Sequence, residues 1–283
     1  MQIDALIRDV TTRLEAVSES PRLDAEILLG RAIDMPRSYL FAHPEDEPDE
    51  AAIERFEKTV ERRLAGEPMA YITGIKEFWS MELMVTPATL VPRPETEILV
   101  ERALQEMPRR AEFEVLDLGT GSGAVALAIA HERRLSMVTA IDQSAEAVRV
   151  AAHNARVNDL DNVTCLVGDW TAPVRDREFD IVVSNPPYVA DSDPALARLA
   201  AEPVSALSAG PDGLDAIRQL AKDCVSVTRP GGWLILEHGA DQADAVAAEL
   251  NANGWQAIDV RRDYAGLARV TAAQKPLADA NSP

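Results

Sequence analysis

The sequence predicts an α/β protein in which a parallel sheet carries helices on both faces and follows a small helical bundle. Three observations predict it. From residue 113 onward, seven short strand-like runs are separated mostly by helical ones. The first of those runs leads straight into the glycine-rich turn Gly119-Thr120-Gly121-Ser122-Gly123. The first ~75 residues instead repeat apolar side chains with a helical period and hold no chemical motif. At 283 residues the chain has room for one large domain or two smaller ones. With 47% apolar and only 5% aromatic residues, Ala, Val and Leu must fill most of the core.

The elements follow in order. Ile3, Leu6, Ile7, Val10, Leu14 and Val17 form the first helical stripe. Ser20-Pro21 reads as an N-cap followed by proline at the first helical position, opening a helix through Leu23, Ile27 and Leu28. The acidic run from Glu45 to Glu50 reads as a solvated loop feeding a helix marked by Ile53, Phe56, Val60 and Leu64. Gly66-Glu67-Pro68 ends that helix. Residues 71–74 and 78–85 read as extended, paired as a hairpin. Val91-Pro92-Arg93-Pro94-Glu95-Thr96-Glu97 is a stiff loop before a helix marked by Ile98, Leu99, Val100 and Leu104. The strand-like runs are 114–118, 137–141, 163–167, 180–184, 233–237, 257–260 and 268–271. The tail ending in Asp279-Ala280-Asn281-Ser282-Pro283 is expected to fray.

Composition narrows the function classes. The net charge is -19, and both the first 78 residues and the remainder are acidic. A nucleic-acid binder usually shows a basic patch, so generic duplex binding is disfavoured. Two cysteines, Cys165 and Cys224, cannot build a disulfide framework and read as small buried side chains. Four histidines show no metal-ligand spacing, and no metal is expected. No signal peptide, lipidation motif or apolar run of about 18 residues appears, and a cytoplasmic location without membrane contact is expected.

Asp117 lies in the strand that enters the glycine turn. Glycines there permit tight turning and close approach of a ligand to the backbone. The spacing differs from the G-x-G-x-x-G of nicotinamide enzymes. Asp117 followed by Gly119–Gly123 resembles the first motif of class I S-adenosylmethionine methyltransferases. Asp142 ends the next strand, 23 positions after Gly119, where a carboxylate can accept both ribose hydroxyls. It can equally serve as a helix cap or a surface residue. Gly168-Asp169-Trp170 follows the third strand, where Trp170 can pack against a base and Asp169 can accept from its exocyclic amine.

Asn185-Pro186-Pro187-Tyr188 follows the fourth strand. A rigid turn of this kind can hold a planar NH2 group. The Asn185 side-chain oxygen and the Pro186 carbonyl each accept one hydrogen, and the Tyr188 ring covers the face. The motif leaves open whether that group is a nucleobase amine or an amide. Both react poorly because the nitrogen lone pair is spread into a π system, so orientation decides their reactivity.

These motifs, with Gly66–Gly74, Glu77-Phe78-Trp79, Leu90–Glu97 and the stretch from Glu202-Pro203 to Gly213-Leu214, resemble the HemK/PrmC protein-(glutamine-N5) methyltransferases over nearly the whole chain. The resemblance implies a class I, Rossmann-like, seven-stranded and mostly parallel sheet, with S-adenosyl-L-methionine as cofactor. It implies a substrate as well: the Gln of the Gly-Gly-Gln loop of class 1 peptide chain release factors. It divides the chain into a substrate-docking bundle (1–75), a linker or hairpin (76–97) and a methyltransferase domain (98–283). Gly119 to Gly123, Asp142, Trp170 and Asn185 are then the cofactor site, and Asn185 to Tyr188 the substrate clamp. The rivals keep the clamp but change the substrate: an adenine-N6 or guanine-N2 amino methyltransferase, or a ribosomal-protein glutamine methyltransferase. The segments after Glu237-His238-Gly239 and at Leu267–Val270 depart from the family pattern and are expected to be peripheral.

Overall fold

A computed structural model describes residues 1–278. The tail Asp279-Ala280-Asn281-Ser282-Pro283 lies outside the described residues. The chain divides into two compact units, Met1–Ile75 and Lys76–Pro283.

The first unit is helical: α1 (Ile3–Leu14), α2 (Pro21–Ala32), α3 (Arg37–Ala42), α4 (Glu50–Leu64) and α5 (Met69–Thr73). Ile3, Leu6, Val10, Leu14, Leu28, Leu29, Phe56 and Val60 close its core. Pro21 opens α2 as expected, but Ser20 makes no side-chain cap. Its neighbour Ser18 does the local work, accepting from Ser20 N at 3.0 Å and donating to Asp24 at 2.7 Å. The acidic run does feed a helix, since Asp49 Oδ1 accepts from Ala52 N at the start of α4. Residues 71–74 are not extended. The β-branched Ile72 and Thr73 suggest a strand, but Pro68 presets the chain for a helical turn and Thr73 Oγ1 donates back to Met69 O at 2.9 Å. Gly74, at φ +77°, then ends α5.

The second unit begins with the hairpin β1 (Ile75–Phe78) and β2 (Met81–Met84). Trp79 and Ser80 form its turn, both at positive φ, as a two-residue loop of the primed type requires. Residues 76–97 therefore pack with the sheet-bearing unit. A 3-10 turn over Pro94–Thr96 leads into α6 (Glu97–Gln105). There follow β3 (Glu114–Leu118), α7 (Ala124–Glu132), β4 (Met137–Asp142), α8 (Ala145–Val157), β5 (Val163–Val167) and β6 (Phe179–Ser184). The short α9 (Ala195–Arg198) precedes α10 (Asp215–Val227), β7 (Thr228–Glu237), α11 (Ala243–Ala252), β8 (Gln256–Arg262) and β9 (Ala268–Gln274).

The seven-stranded sheet runs β5-β4-β3-β6-β7-β9-β8, and only β9 lies antiparallel to its neighbours. Successive residues of each central strand serve opposite faces. Val115, Ile181, Val183 and Ile235 join one core with α6 and α7. Leu116, Leu118, Val182, Leu234 and Leu236 join the other with α10 and α11. Both faces are thus covered, which is why the strands read as continuous apolar runs. No helix among the described residues is long and apolar enough to cross a membrane.

Topology places the site. From β3 the chain winds outward through β4 to β5, then returns to β6 on the other side of β3. The carboxyl ends of β3 and β6 are therefore adjacent at a topological switch point, where open α/β sheets bind ligands. Ser184 Oγ, at the end of β6, donates to Leu118 O, at the end of β3, at 2.7 Å. The glycine turn and the Asn185 turn leave the sheet side by side.

Candidate active site

The glycine turn is shaped by its own backbone. Gly119, Gly121 and Gly123 all have positive φ. Gly119 N and Thr120 N both donate to Ile141 O, at 2.9 and 3.0 Å, tying the turn to β4. Asp142 completes the brace: its Oδ2 accepts from Gly121 N at 2.9 Å and its Oδ1 from Ser144 N at 2.8 Å. Each carboxylate oxygen carries about two lone pairs, so both keep acceptor capacity toward the cleft. The indole of Trp170 closes over the turn, where a Cβ added to Gly119 would lie 3.5 Å from the ring.

An open cleft of about 1080 Å³ forms above these strand ends. Gly119, Thr120, Gly121, Ser122, Asp142, Asp169, Trp170, Asn185 and Pro187 line it, so residues distant in sequence converge as expected. Three expected site residues do not line it. Gly123 faces inward, where a Cβ would meet Ala151 and Leu127 at 3.2 Å, so its role is to let α7 approach α8. Pro186 is absent from the lining, and Tyr188 turns toward the second core cluster.

Asp117 is 2% exposed and also lines the cleft. Burial pushes its carboxyl up to about 7, against the lowering effect of hydrogen bonds from Thr120 and the Ala126 backbone, with Asp142 adding a further rise. A cationic ligand brought beside it would reverse that shift.

The Asn185 amide has a defined orientation. Its Nδ2 donates to Thr96 Oγ1 at 3.2 Å, which leaves Oδ1 as the free acceptor. Thr96 comes from the proline-punctuated loop before α6, which is held by Glu202: this buried carboxylate accepts from Val91 N at 3.0 Å and pairs with Arg93. Pro203, Ser205 and Ala206 follow it onto the cleft wall. Thr96, Arg93 and Glu202 carry no site signal of their own in the sequence; the unusual Pro-Arg-Pro-Glu-Thr-Glu run marks the first two and the Glu202-Pro203 stretch the third.

Tyr188 is anchored from behind. Its hydroxyl donates to Glu237 Oε1 at 3.4 Å, and its carbonyl accepts from Gln242 Nε2 at 3.0 Å. Burial and the Glu237 charge raise its phenol well above the usual range. Gln242 belongs to a segment expected to be peripheral, and so does Arg269, whose charge acts on both Tyr188 and Glu237. That expectation is corrected: β7, β9 and the residue that opens α11 lie directly behind Tyr188. A one-dimensional reading could not see that β9 returns antiparallel beside β7.

Comparison with known proteins agrees with this geometry. Residues 5–74 match the PrmC N-terminal domain and residues 95–211 the methyltransferase small domain. The release factor glutamine methyltransferase of Coxiella burnetii is 44% identical over 275 residues, covering 97% of this chain and 99% of that protein. The chain belongs to the release factor glutamine methyltransferase family. The Escherichia coli protein of that name is 39% identical, over 96% of this chain and 98% of its own length. A Pyrococcus furiosus methyltransferase shares the fold at 18% identity, with a TM-score of 0.55 over 78% of this chain and 100% of its own. A T. thermophilus 16S rRNA methyltransferase, solved with AdoMet and guanosine, shares it at 22% identity and a TM-score of 0.54, over 71% of this chain and 49% of its own. For a family of this kind the methyl donor is S-adenosylmethionine, and the cleft suits it: it offers a backbone turn open to close approach, carboxylates at 117 and 142, and an aromatic wall at 170.

Proposed function

We propose that the protein methylates the side-chain amide nitrogen of the Gln in the Gly-Gly-Gln loop of class 1 peptide chain release factors. The observation that carries this reading is the orientation of Asn185, whose Nδ2 is committed to Thr96 while Oδ1 remains an acceptor. An acceptor, not a donor, is what an incoming NH2 group needs. When bound, S-adenosylmethionine would supply a methyl group on a sulfonium, open to in-line displacement by the amide nitrogen, the sulfur departing as a neutral thioether and one of the two N–H protons passing to solvent. Asn185 Oδ1 accepts one amide hydrogen; Pro186 and Tyr188 do not line the free cleft, so acceptance of the second hydrogen by the Pro186 carbonyl and packing of Tyr188 on the amide plane require the turn to shift as substrate enters. Held this way, the nitrogen aims its lone pair along one direction. Positioning of this quality is worth up to ~7–11 kcal/mol. No nucleophilic side chain is needed. The helical unit at 1–75 contributes to docking of the protein partner, and the net charge of -19 favours such a partner over nucleic acid.

Asp142 holds the donor through ribose hydroxyls in this reading. Asp142→Ala should weaken S-adenosylmethionine binding by ~1–3 kcal/mol, because two charge-assisted acceptors and the brace on Gly121 are lost together. Titration calorimetry reads this directly, and unchanged affinity would remove Asp142 from the site.

Labelled S-adenosylmethionine, incubated with a purified release factor and with its loop Gln→Ala variant, tests the substrate. Label is expected on the unmodified factor alone. Equal label on both proteins, or transfer to added RNA or DNA instead, would overturn the assignment.

A further inference from the structure

Arg93 is the one cation on the cleft wall, among the described residues, and the proposed reaction leaves it without a role. The charged groups lining the cleft are Arg93, Asp117, Asp142 and Asp169. S-adenosylmethionine carries a sulfonium, an α-ammonium and an α-carboxylate. An acidic wall suits the two cationic groups and repels the carboxylate. That one anionic end of the donor needs a partner of opposite charge.

The walls divide by what they can hold. Asp142 ends β4 and Trp170 follows β5, and the nucleoside falls to them in the reading above. Asn185, after β6, marks where the methyl group must meet its acceptor. The wall from Ala88 to Thr96 is left for the amino-acid end of the donor. It adjoins the clamp, since Thr96 Oγ1 accepts from Asn185 Nδ2 at 3.2 Å. Arg93 stands in this wall, and its side chain is held from behind. Nη2 donates to Glu202, whose side chain is 3% exposed and whose other oxygen accepts from Val91 N at 3.0 Å. A guanidinium carries five N–H donors in a fixed fork. Among the described residues, Nη2 is the one atom of it that meets a protein acceptor, so Nε and Nη1 keep their donors for a ligand. Paired with Glu202, Arg93 offers aimed hydrogen bonds more than net charge, which is the form in which a carboxylate is recognised.

We infer that Arg93 binds the α-carboxylate of the methyl donor through its free N–H groups, with Glu202 fixing the guanidinium from behind. The inference uses the donor placement proposed above and is independent of which amide receives the methyl group. It gives the Pro-Arg-Pro-Glu-Thr-Glu run two tasks in one cleft: Thr96 meets the clamp and Arg93 meets the donor. It also gives the buried carboxylate of Glu202 a reason to be kept, since a cation held on one side presents a defined fork on the other.

Calorimetric titration with S-adenosylmethionine and with its decarboxylated form, in the absence of release factor, tests this. The two ligands share the nucleoside, the sulfonium and the amine, and differ in the carboxylate alone. The proteins are the wild type, Arg93→Gln, Arg93→Lys and the double variant Arg93→Gln/Glu202→Gln, which leaves no buried carboxylate without its partner. Wild type should prefer S-adenosylmethionine by about tenfold or more, the size of one charge-assisted hydrogen bond. In Arg93→Gln and in the double variant that preference should shrink to within about twofold, while affinity for the decarboxylated ligand is kept. Arg93→Lys should retain part of the preference, because it keeps the charge without the fork. Asp142→Ala should weaken both ligands alike, since the ribose is common to them. An unchanged preference in Arg93→Gln would overturn the inference. So would an equal loss of both ligands in the double variant, which reduces Arg93 to a structural tie. Neither result bears on the glutamine substrate, which stands or falls on label transfer to the release factor.

Discussion

Replacing Asn185 with alanine should lower kcat by about 10²–10³, the range seen when one preorganised polar group is taken from a transition state. Binding of S-adenosylmethionine should change little. The reason lies in what the side chain touches. Nδ2 is spent on Thr96 and Oδ1 is the free acceptor. The braces on the glycine turn come from Ile141 and Asp142, not from Asn185. Single-turnover assays with saturating donor separate the two effects, because only chemistry should slow. Asn185→Asp is the sharper variant. It keeps two acceptors but loses the donor to Thr96 and places a charge where a neutral group stood. It should also be slow, and its residual rate should fall as the new carboxylate ionises. A fast Asn185→Ala enzyme would mean that the amide is oriented by other groups.

How much of this was legible beforehand depends on range. The strands of the sheet were readable because burial on both faces makes each an apolar run with sharp ends, and Asp117, Asp142 and Asn185 stand out as polar breaks at those ends. The glycine turn was readable because positive φ at Gly119 and Gly121 restricts the residue type. Gly123 obeys the same rule, yet its freedom serves the packing of α7 on α8. Sequence shows that a glycine is required and not what it approaches. The helix at Met69–Thr73 looks extended in the sequence because two β-branched residues outweigh a proline and a glycine that bracket a single turn. Thr96, Glu202 and Glu237 were not legible as site residues. Each acts through a partner far along the chain: Thr96 on Asn185, Glu202 on Val91, Glu237 on Tyr188. Such pairs exist only once β6, β7 and the loop before α6 have met.

The free protein should lose stability as pH rises from about 4.5 to 8, opposite to the usual acid-denaturation trend. Two buried carboxyls cause it. Glu237 moves from 4.5 to about 7 and Asp117 from 3.8 to about 7, both chiefly through burial. Between the unfolded and folded values the native state holds a proton that the unfolded state has released, so the native state is favoured at low pH and penalised as pH climbs. The full penalty is on the order of 3 kcal/mol for Glu237 and 4 kcal/mol for Asp117. Other groups fall in different windows or carry the opposite sign. Asp263 and Glu26 have lowered values, so their contribution is lost only as pH falls below the ordinary carboxylate range. Burial lowers His238, which adds stability as pH rises toward 6.5. Differences between variant and wild type isolate each carboxyl. In urea titrations, Glu237→Gln and Asp117→Asn should match wild type near pH 4.5 and exceed it at pH 8. If neither variant gains at pH 8, both carboxyls are better solvated than their burial implies. Their functional consequences should then diverge. Asp117 lines the cleft, so a cationic ligand should drive its proton off, and heats of binding should vary with the ionisation enthalpy of the buffer near pH 6.5. Glu237 lies outside the cleft lining, so Glu237→Gln should gain stability at pH 8 while leaving those heats of binding unchanged.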